Sequence, residues 1–245
     1  MNITVFGASG TIGKHFIELA SRRGHAIRAV YRTMPPVSPS GQVEILVHPD
    51  IFNPDFVIQA TQGADVIVTA LGPNFAQHHN ALTKMISPPD LHQRLARTLV
   101  SALKDSGISP RVISVSTGSM GPGDATMGPG PRMLLGFFRT FVARNLRLVG
   151  RDLGAMEQVL AESRLDWYAV RPVKLTDGPL TERVQASHRF AMRSISRADV
   201  AWYLLALAED GKPQQRTPIL VSAPSRVRRG RASECHEGER RAKQG

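Results

Sequence analysis

A single cysteine, Cys235, is the whole thiol content of the chain. It cannot close an intrachain disulfide and leaves no cysteine-based metal cluster, so a reducing compartment is the simplest setting. Long apolar runs are missing too, since nothing approaches the roughly 20 residues that a membrane-spanning helix needs. Met1 is followed directly by Asn-Ile-Thr-Val-Phe, with no basic region and no small-residue cleavage site; a signal peptide is not expected, and a cytoplasmic location is. Acidic residues are few, 20 against 31 Lys and Arg, which gives a net charge of +11. Such an excess ordinarily points to nucleic acid or anionic membranes, so its position matters. From Pro224 the chain reads PSRVRRGRASECHEGERRAKQG, seven Arg or Lys against three Glu, with Val227 and Cys235 as its only apolar residues of any size. That stretch cannot bury enough surface to fold. It predicts a disordered basic tail over 224–245, carrying +4 of the charge, behind one domain over 1–223. No aromatic residue in the tail can stack on a base, which argues against a nucleic-acid partner.

With 42% hydrophobic residues over 245 positions, the chain can bury one large core. Short β-type runs alternate with amphipathic helical stretches, the pattern of an α/β parallel sheet with helices on both faces. Strands are predicted over 3–6, 26–31, 43–47, 65–71, 111–115, 167–170 and 218–221. Between them, Ile12, Phe16, Leu19 and Ala20 recur at helical spacing, and Gly24 closes that helix. A short helix is expected over 55–60. SPPD at 87–90 opens another, whose apolar face is Leu91, Leu95, Leu99, Ala102 and Leu103. Helical sequence follows between Met133 and Ser163 and again over 198–208. The stretch GSMGPGDATMGPGP, 118–131, has five glycines and three prolines and can only be a loop, at the carboxyl end of a strand. Met120, Met127, Met133, Phe137 and Phe138 would either give it an adaptable apolar lining for a flat aromatic ligand or stand partly exposed on a mobile surface loop. His78 and His79 have no acidic or cysteine partner at ligand spacing, so no metal is expected.

VFGASGTIG, Val5 to Gly13, places three glycines between the first strand and the first helix. Gly7 permits the tight turn, Gly10 removes a Cβ from the path of a pyrophosphate, and Gly13 lets the helix pack closely on the strand. The free amides and positive helix end around Ser9, Thr11 and Ile12 then face the phosphates. This predicts a Rossmann-like doubly wound sheet. The Gly-x-x-Gly-x-x-Gly spacing, with DVIVTALG at 65–72, RVISVSTGSMG at 111–121, LDWYAVRPVKLTDGP at 165–179 and ISRADVAWYLL at 195–205, resembles the atypical short-chain dehydrogenase/reductase family. Within it, the chain is similar to the NAD(P)H-binding, NmrA-like subgroup that includes biliverdin IXβ reductase and flavin reductase-like proteins. The similarity spans about residues 1–222.

Cofactor choice is read at the end of the second strand, where RAVYRT puts Arg32 in place of the acidic residue that holds the ribose hydroxyls of NAD. A guanidinium there pairs with a 2′-phosphate, so NADP(H) is expected over NAD(H), with Thr33 as a second contact. The resemblance implies that Asp50 and Ile51 flank the adenine and that Ala70, Leu71 and Gly72 pass beneath the cofactor; Asp50 either accepts from the adenine amino group or begins a turn. Pro172, Val173 and Lys174, after the sixth strand, are further candidates for cofactor contact. Lys174 either adds charge near the nicotinamide or a substrate carboxylate, or faces solvent.

Better-known members of the wider family use a Tyr-x-x-x-Lys pair for proton transfer. Here the residues four places after Tyr31, Tyr168 and Tyr203 are Pro35, Pro172 and Leu207, so that route is disfavoured. Ser116 and Thr117 fall near the usual catalytic serine, Thr117 being the better match; their hydroxyls either orient a substrate carbonyl or the nicotinamide amide, or cap the loop. Biliverdin reductase-like relatives carry a histidine where Val173 stands, which weakens a tetrapyrrole assignment. A flavin, quinone or tetrapyrrole-like acceptor needs no dedicated acid, because hydride enters an extended conjugated system and water can supply the proton. Two readings follow: an NADPH-dependent reductase of such a small-molecule acceptor, and an NADP(H)-binding redox sensor without turnover. The sequence does not choose between a monomer and a dimer.

Overall fold

A computed structural model describes residues 1–36, 41–73, 85–104, 106–117, 133, 144–187, 191, 193–209 and 216–223. The predicted basic tail, His78, His79 and most of the 118–143 stretch lie outside them. Six strands alternate with helices: β1 (Asn2–Phe6), α1 (Thr11–Arg22), β2 (Ala26–Tyr31), β3 (Val43–Val47), α2 (Pro54–Thr61), β4 (Val66–Thr69), α3 (Leu91–Lys104), β5 (Arg111–Val115), α4 (Arg144–Glu162) and β6 (Asp166–Pro172). Then come β7 (Lys174–Thr176), β8 (Val184–Ser187), β9 (Ser194–Ser196), α5 (Arg197–Glu209) and β10 (Ile219–Ser222).

The central sheet runs β3-β2-β1-β4-β5-β6-β10-β8, parallel throughout except for β8, which pairs antiparallel with β10. β7 and β9 form a separate parallel pair. Those three short strands, with sequences KLT, VQAS and SIS, escape the sequence pattern because long-range pairing holds them rather than any local apolar alternation.

Alternation across the pleat divides the core in two. Ile3 and Val5 of β1 join Ile12, Phe16, Ile17 and Ala20 of α1 and Val200, Ala201, Leu204 and Leu205 of α5. Phe6 faces the other way, with Ile67 and Val112, against Phe56 and Val57 of α2, Leu95 and Leu99 of α3 and Met156 and Leu160 of α4. Buried Thr4 satisfies its hydroxyl by donating to the Ala60 carbonyl at 2.7 Å, which ties α2 to β1. The chain steps outward from β1 to β2 and β3, then returns to add β4 on the opposite side of β1. The order reverses between β1 and β4, and it is at such a point, outside the carboxyl ends of the strands, that doubly wound sheets form a crevice for their ligands.

Candidate functional site

The first wall of the crevice is the turn between β1 and α1. Gly10 N donates to the Gly7 carbonyl at 3.0 Å, and the Gly10 carbonyl accepts from Lys14 at 2.9 Å, so Gly10 begins the helix in extended conformation. No side chain caps α1, and no acidic residue lies in its first turn. The helix therefore offers the uncapped amides of Thr11, Ile12 and Gly13 and its positive end to an anion. Ser9 and Thr11 are exposed; Ile12 and Gly13 are buried. Gly7 has φ +93°, and a Cβ on it would lie 2.5 Å from the Ala70 carbonyl oxygen. A Cβ on Gly13 would overlap the Gly7 carbonyl and the Ala8 backbone. Both glycines let β1, α1 and the β4 end approach to backbone contact, whereas a Cβ at Gly10 would meet its neighbours no closer than 3.3 Å.

Arg32 and Thr33, just past β2, are exposed, and Arg32 makes no ion pair or hydrogen bond among the described residues. Beyond β3, Asp50 builds a turn: its carboxylate accepts from Phe52 N at 3.0 Å and its carbonyl from Asn53 N at 3.2 Å. Asn53 in turn caps α2 by accepting from Phe56 N at 2.9 Å. Ile51 is buried and fastens this turn to the core. At the β4 end, Ala70 is buried and donates its amide to Phe6 O at 2.8 Å, Leu71 is half-buried and Gly72 exposed.

The β5 and β6 ends hold a network that the sequence pattern does not reveal. Ser116 is buried and donates its hydroxyl to Glu157 Oε1 of α4 at 2.6 Å. Arg171, at the end of β6, donates Nε to the same oxygen at 3.0 Å and a second guanidinium nitrogen to Oε2. The Ser116 hydroxyl is thus turned toward the interior by its own donation, and half-buried Thr117 is the next hydroxyl along. Pro172 is buried, Val173 half-buried and Lys174 exposed at the start of β7. Met133, the described member of the expected apolar lining, is 81% exposed. Burial pushes the phenols of Tyr31 and Tyr203 up, away from what a proton-transferring phenolate needs. The described residues hold no group of three or more potential metal ligands.

Glu157 could have been suspected from spacing alone. Leu153, Met156 and Leu160 make an apolar face on α4, and Glu157 falls on it. His92 is placed the same way among Leu91, Leu95, Ala96 and Leu99 of α3. A charged or polar residue on such a face is buried only with partners, and here the partners come from distant elements.

Residues 7–211 match the NAD(P)H-binding family. The chain belongs to that family. The glycine turn, the uncapped α1 amides and the reversal of strand order are the parts of the fold suited to hold the family's dinucleotide. Among curated proteins, YwnB of Bacillus subtilis (strain 168), itself uncharacterized, is 28% identical over 120 residues. The chain spans about half the length of that relative, 49%, and the match takes in 49% of this chain. Solved structures share the fold over 91% of the chain. ChuY, an anaerobillin reductase from Escherichia coli O157:H7, superposes with a TM-score of 0.67 at 22% identity over 97% of its length. SP1627 of Streptococcus pneumoniae TIGR4, provisionally an NADH-flavin reductase, gives 0.68 at 21% identity over 99%. No described helix is long and apolar enough to cross a membrane.

Proposed function

We propose that the protein is an NADPH-dependent reductase that delivers hydride to a flat conjugated small molecule of flavin, quinone or tetrapyrrole type. The observation that carries the reading is the close approach of Gly7 to the Ala70 carbonyl, beside an uncapped helix end, in a chain of the NAD(P)H-binding family. Ser9, Gly10, Thr11, Ile12 and Gly13 hold the pyrophosphate through backbone amides and the helix dipole. Arg32 and Thr33 take the 2′-phosphate, the planar guanidinium supplying paired donors to its oxygens. Ile51 closes the adenine side, and Ala70, Leu71 and Gly72 form the floor. Asp50 serves as the turn that positions Ile51.

When bound, NADPH supplies the hydride, and one proton from water completes the two-electron reduction of the acceptor. The chain's own residues contribute position. Thr117 orients the acceptor or the carboxamide at the β5 end, and Pro172 and Val173 shape the wall at the β6 end. Ser116 acts from below by fixing Glu157, and Lys174 offers positive charge at the rim.

A second reading, dinucleotide binding without turnover, is favoured by two observations. Ser116 is committed to Glu157, and the tyrosines pushed up by burial provide no ready acid. The deciding experiment follows NADPH oxidation by absorbance with a panel of flavins, quinones and biliverdin, beside calorimetric binding of NADPH and NADH. Turnover with at least one acceptor supports the reductase. Tight binding with no turnover on any supports the sensor, and binding of neither nucleotide overturns both.

A further inference from the structure

We propose that His92 and Asp152 are positioning residues for the dinucleotide, acting through the Leu71 carbonyl to hold the segment that leaves β4; this rests on the dinucleotide reading above. Both side chains are buried, 5% and 4% exposed. Asp152 reaches from α4 to the start of α3. Its Oδ2 accepts from His92 N at 2.9 Å and from His92 Nδ1 at 2.7 Å, and its Oδ1 accepts from Gln93 N at 2.8 Å. One carboxylate thereby caps the first turn of α3 and grips the imidazole.

Capping needs no more than that, yet the ring continues. His92 Nε2 lies 3.3 Å from the Leu71 carbonyl oxygen. The ring faces an acceptor on each side, the Asp152 carboxylate and the Leu71 carbonyl. After Ala70 donates to Phe6, residues 71–73 pair with no strand among the described residues. The imidazole makes the one side-chain hydrogen bond to their backbone among the described residues. Ala70, immediately before Leu71, supplies the carbonyl against which Gly7 is packed. A continuous set of contacts therefore runs from Asp152 through His92 and Leu71 to the glycine turn. An apolar residue at 92 would fill the same space without the cost of burying a polar ring. The polar choice goes with the second contact, and that contact ends on the cofactor's floor.

The test uses the full chain and two substitutions. His92→Asn keeps an amide nitrogen where Nδ1 lies, for Asp152, but is too short for Leu71. His92→Gln carries its amide nitrogen out to where Nε2 lies. Thermal melting reports the fold, and fluorescence titration of NADPH and NADH reports the site. His92→Asn should melt close to wild type and bind both nucleotides roughly 5–10-fold more weakly, the value of one hydrogen bond. The loss should be equal for the two, because Leu71 is not at the 2′-phosphate. His92→Gln should recover at least part of it. Unchanged binding in His92→Asn, or a loss that a well-folded His92→Gln does not reduce, overturns the positioning role. If His92→Asn fails to fold, His92→Gln alone decides: near wild-type binding supports the role and a full loss overturns it. A wild-type chain that binds neither nucleotide removes the dinucleotide reading and this role together, whereas normal binding by wild type and both variants removes this role alone.

Discussion

Replacing Glu157 by Gln takes the charge from a carboxylate packed against an arginine. The side chains of Glu157 and Arg171 are 6% and 8% exposed. The carboxylate accepts from two guanidinium nitrogens and from the Ser116 hydroxyl. Removing one member of such a pair strands the other charge away from water, at a cost of about 3–5 kcal/mol. For a chain of this size each kcal/mol lowers Tm by roughly 2–4 °C, so Glu157→Gln should melt roughly 6–20 °C below wild type. Arg171→Met should lose a similar amount, because the carboxylate then keeps only the Ser116 donor. The double variant removes both charges and should be more stable than either single one, with Met filling part of the vacated volume. Ser116→Ala, which breaks a single hydrogen bond, should cost about 1 kcal/mol. Equilibrium urea denaturation of wild type, both singles and the double closes the cycle. A double variant whose loss equals the sum of the singles, or singles within about 0.5 kcal/mol of wild type, would refute the coupled buried pair.

Arg32→Ala should weaken NADPH binding roughly 10- to 100-fold, the worth of a charge-assisted contact of about 1.5–3 kcal/mol, and leave NADH nearly unchanged; parallel calorimetric titrations check the ratio, and an equal loss for both would show that Arg32 does not read the 2′-phosphate. Gly7→Ala combines a left-handed backbone, about 1–2 kcal/mol for an L-residue, with a Cβ 2.5 Å from the Ala70 oxygen; it should abolish NADPH binding in a fluorescence titration and lower Tm. Acid sensitivity has a local source in Asp166. Burial pushes its carboxyl up, but hydrogen bonds and charge from Arg111 and Arg216 outweigh that and hold it below the ordinary carboxylate range. Its stabilisation is therefore complete above the unfolded value, about 3.9, and is lost as pH falls through the lower folded value. The side chain is 38% exposed, so the effect is small; Asp166→Asn should flatten the fall in Tm below pH about 4, and an unaltered acid limb would exclude it.

The backbone of the fold was legible because its central strands are short apolar runs rich in Val and Ile, and α1, α3 and α4 each carry one apolar face. The turn at Val5–Gly13 was legible for a further reason: what its glycines must do is local, and the strand and helix around them are adjacent in sequence. Spacing marks Glu157 and His92 as polar residues on apolar helix faces, but not what they do there, because that depends on Ser116, Arg171, Asp152 and Leu71, which other elements deliver. Asp50 shows the limit from the other side. Sequence left it as either an adenine contact or a turn; the hydrogen bonds to Phe52 and Asn53 show the turn being made. The short strands β7, β8 and β9 were invisible for the same reason as the buried charges, since partners far along the chain define them.

The order of the strands also governs when the site can exist. β1 and β4 lie side by side, Ile3 against Val66 and Phe6 against Thr69, and Asn2 reaches Asp65 across 63 positions of sequence. A chain leaving the ribosome displays its glycine turn early, but the crevice is absent until β4 has closed that long loop onto β1. A fragment ending before β4 carries the turn and has no floor to set beneath a nucleotide. Dinucleotide can then select only chains whose slow, non-local pairing is complete, drawing them away from the unfolded pool as they form.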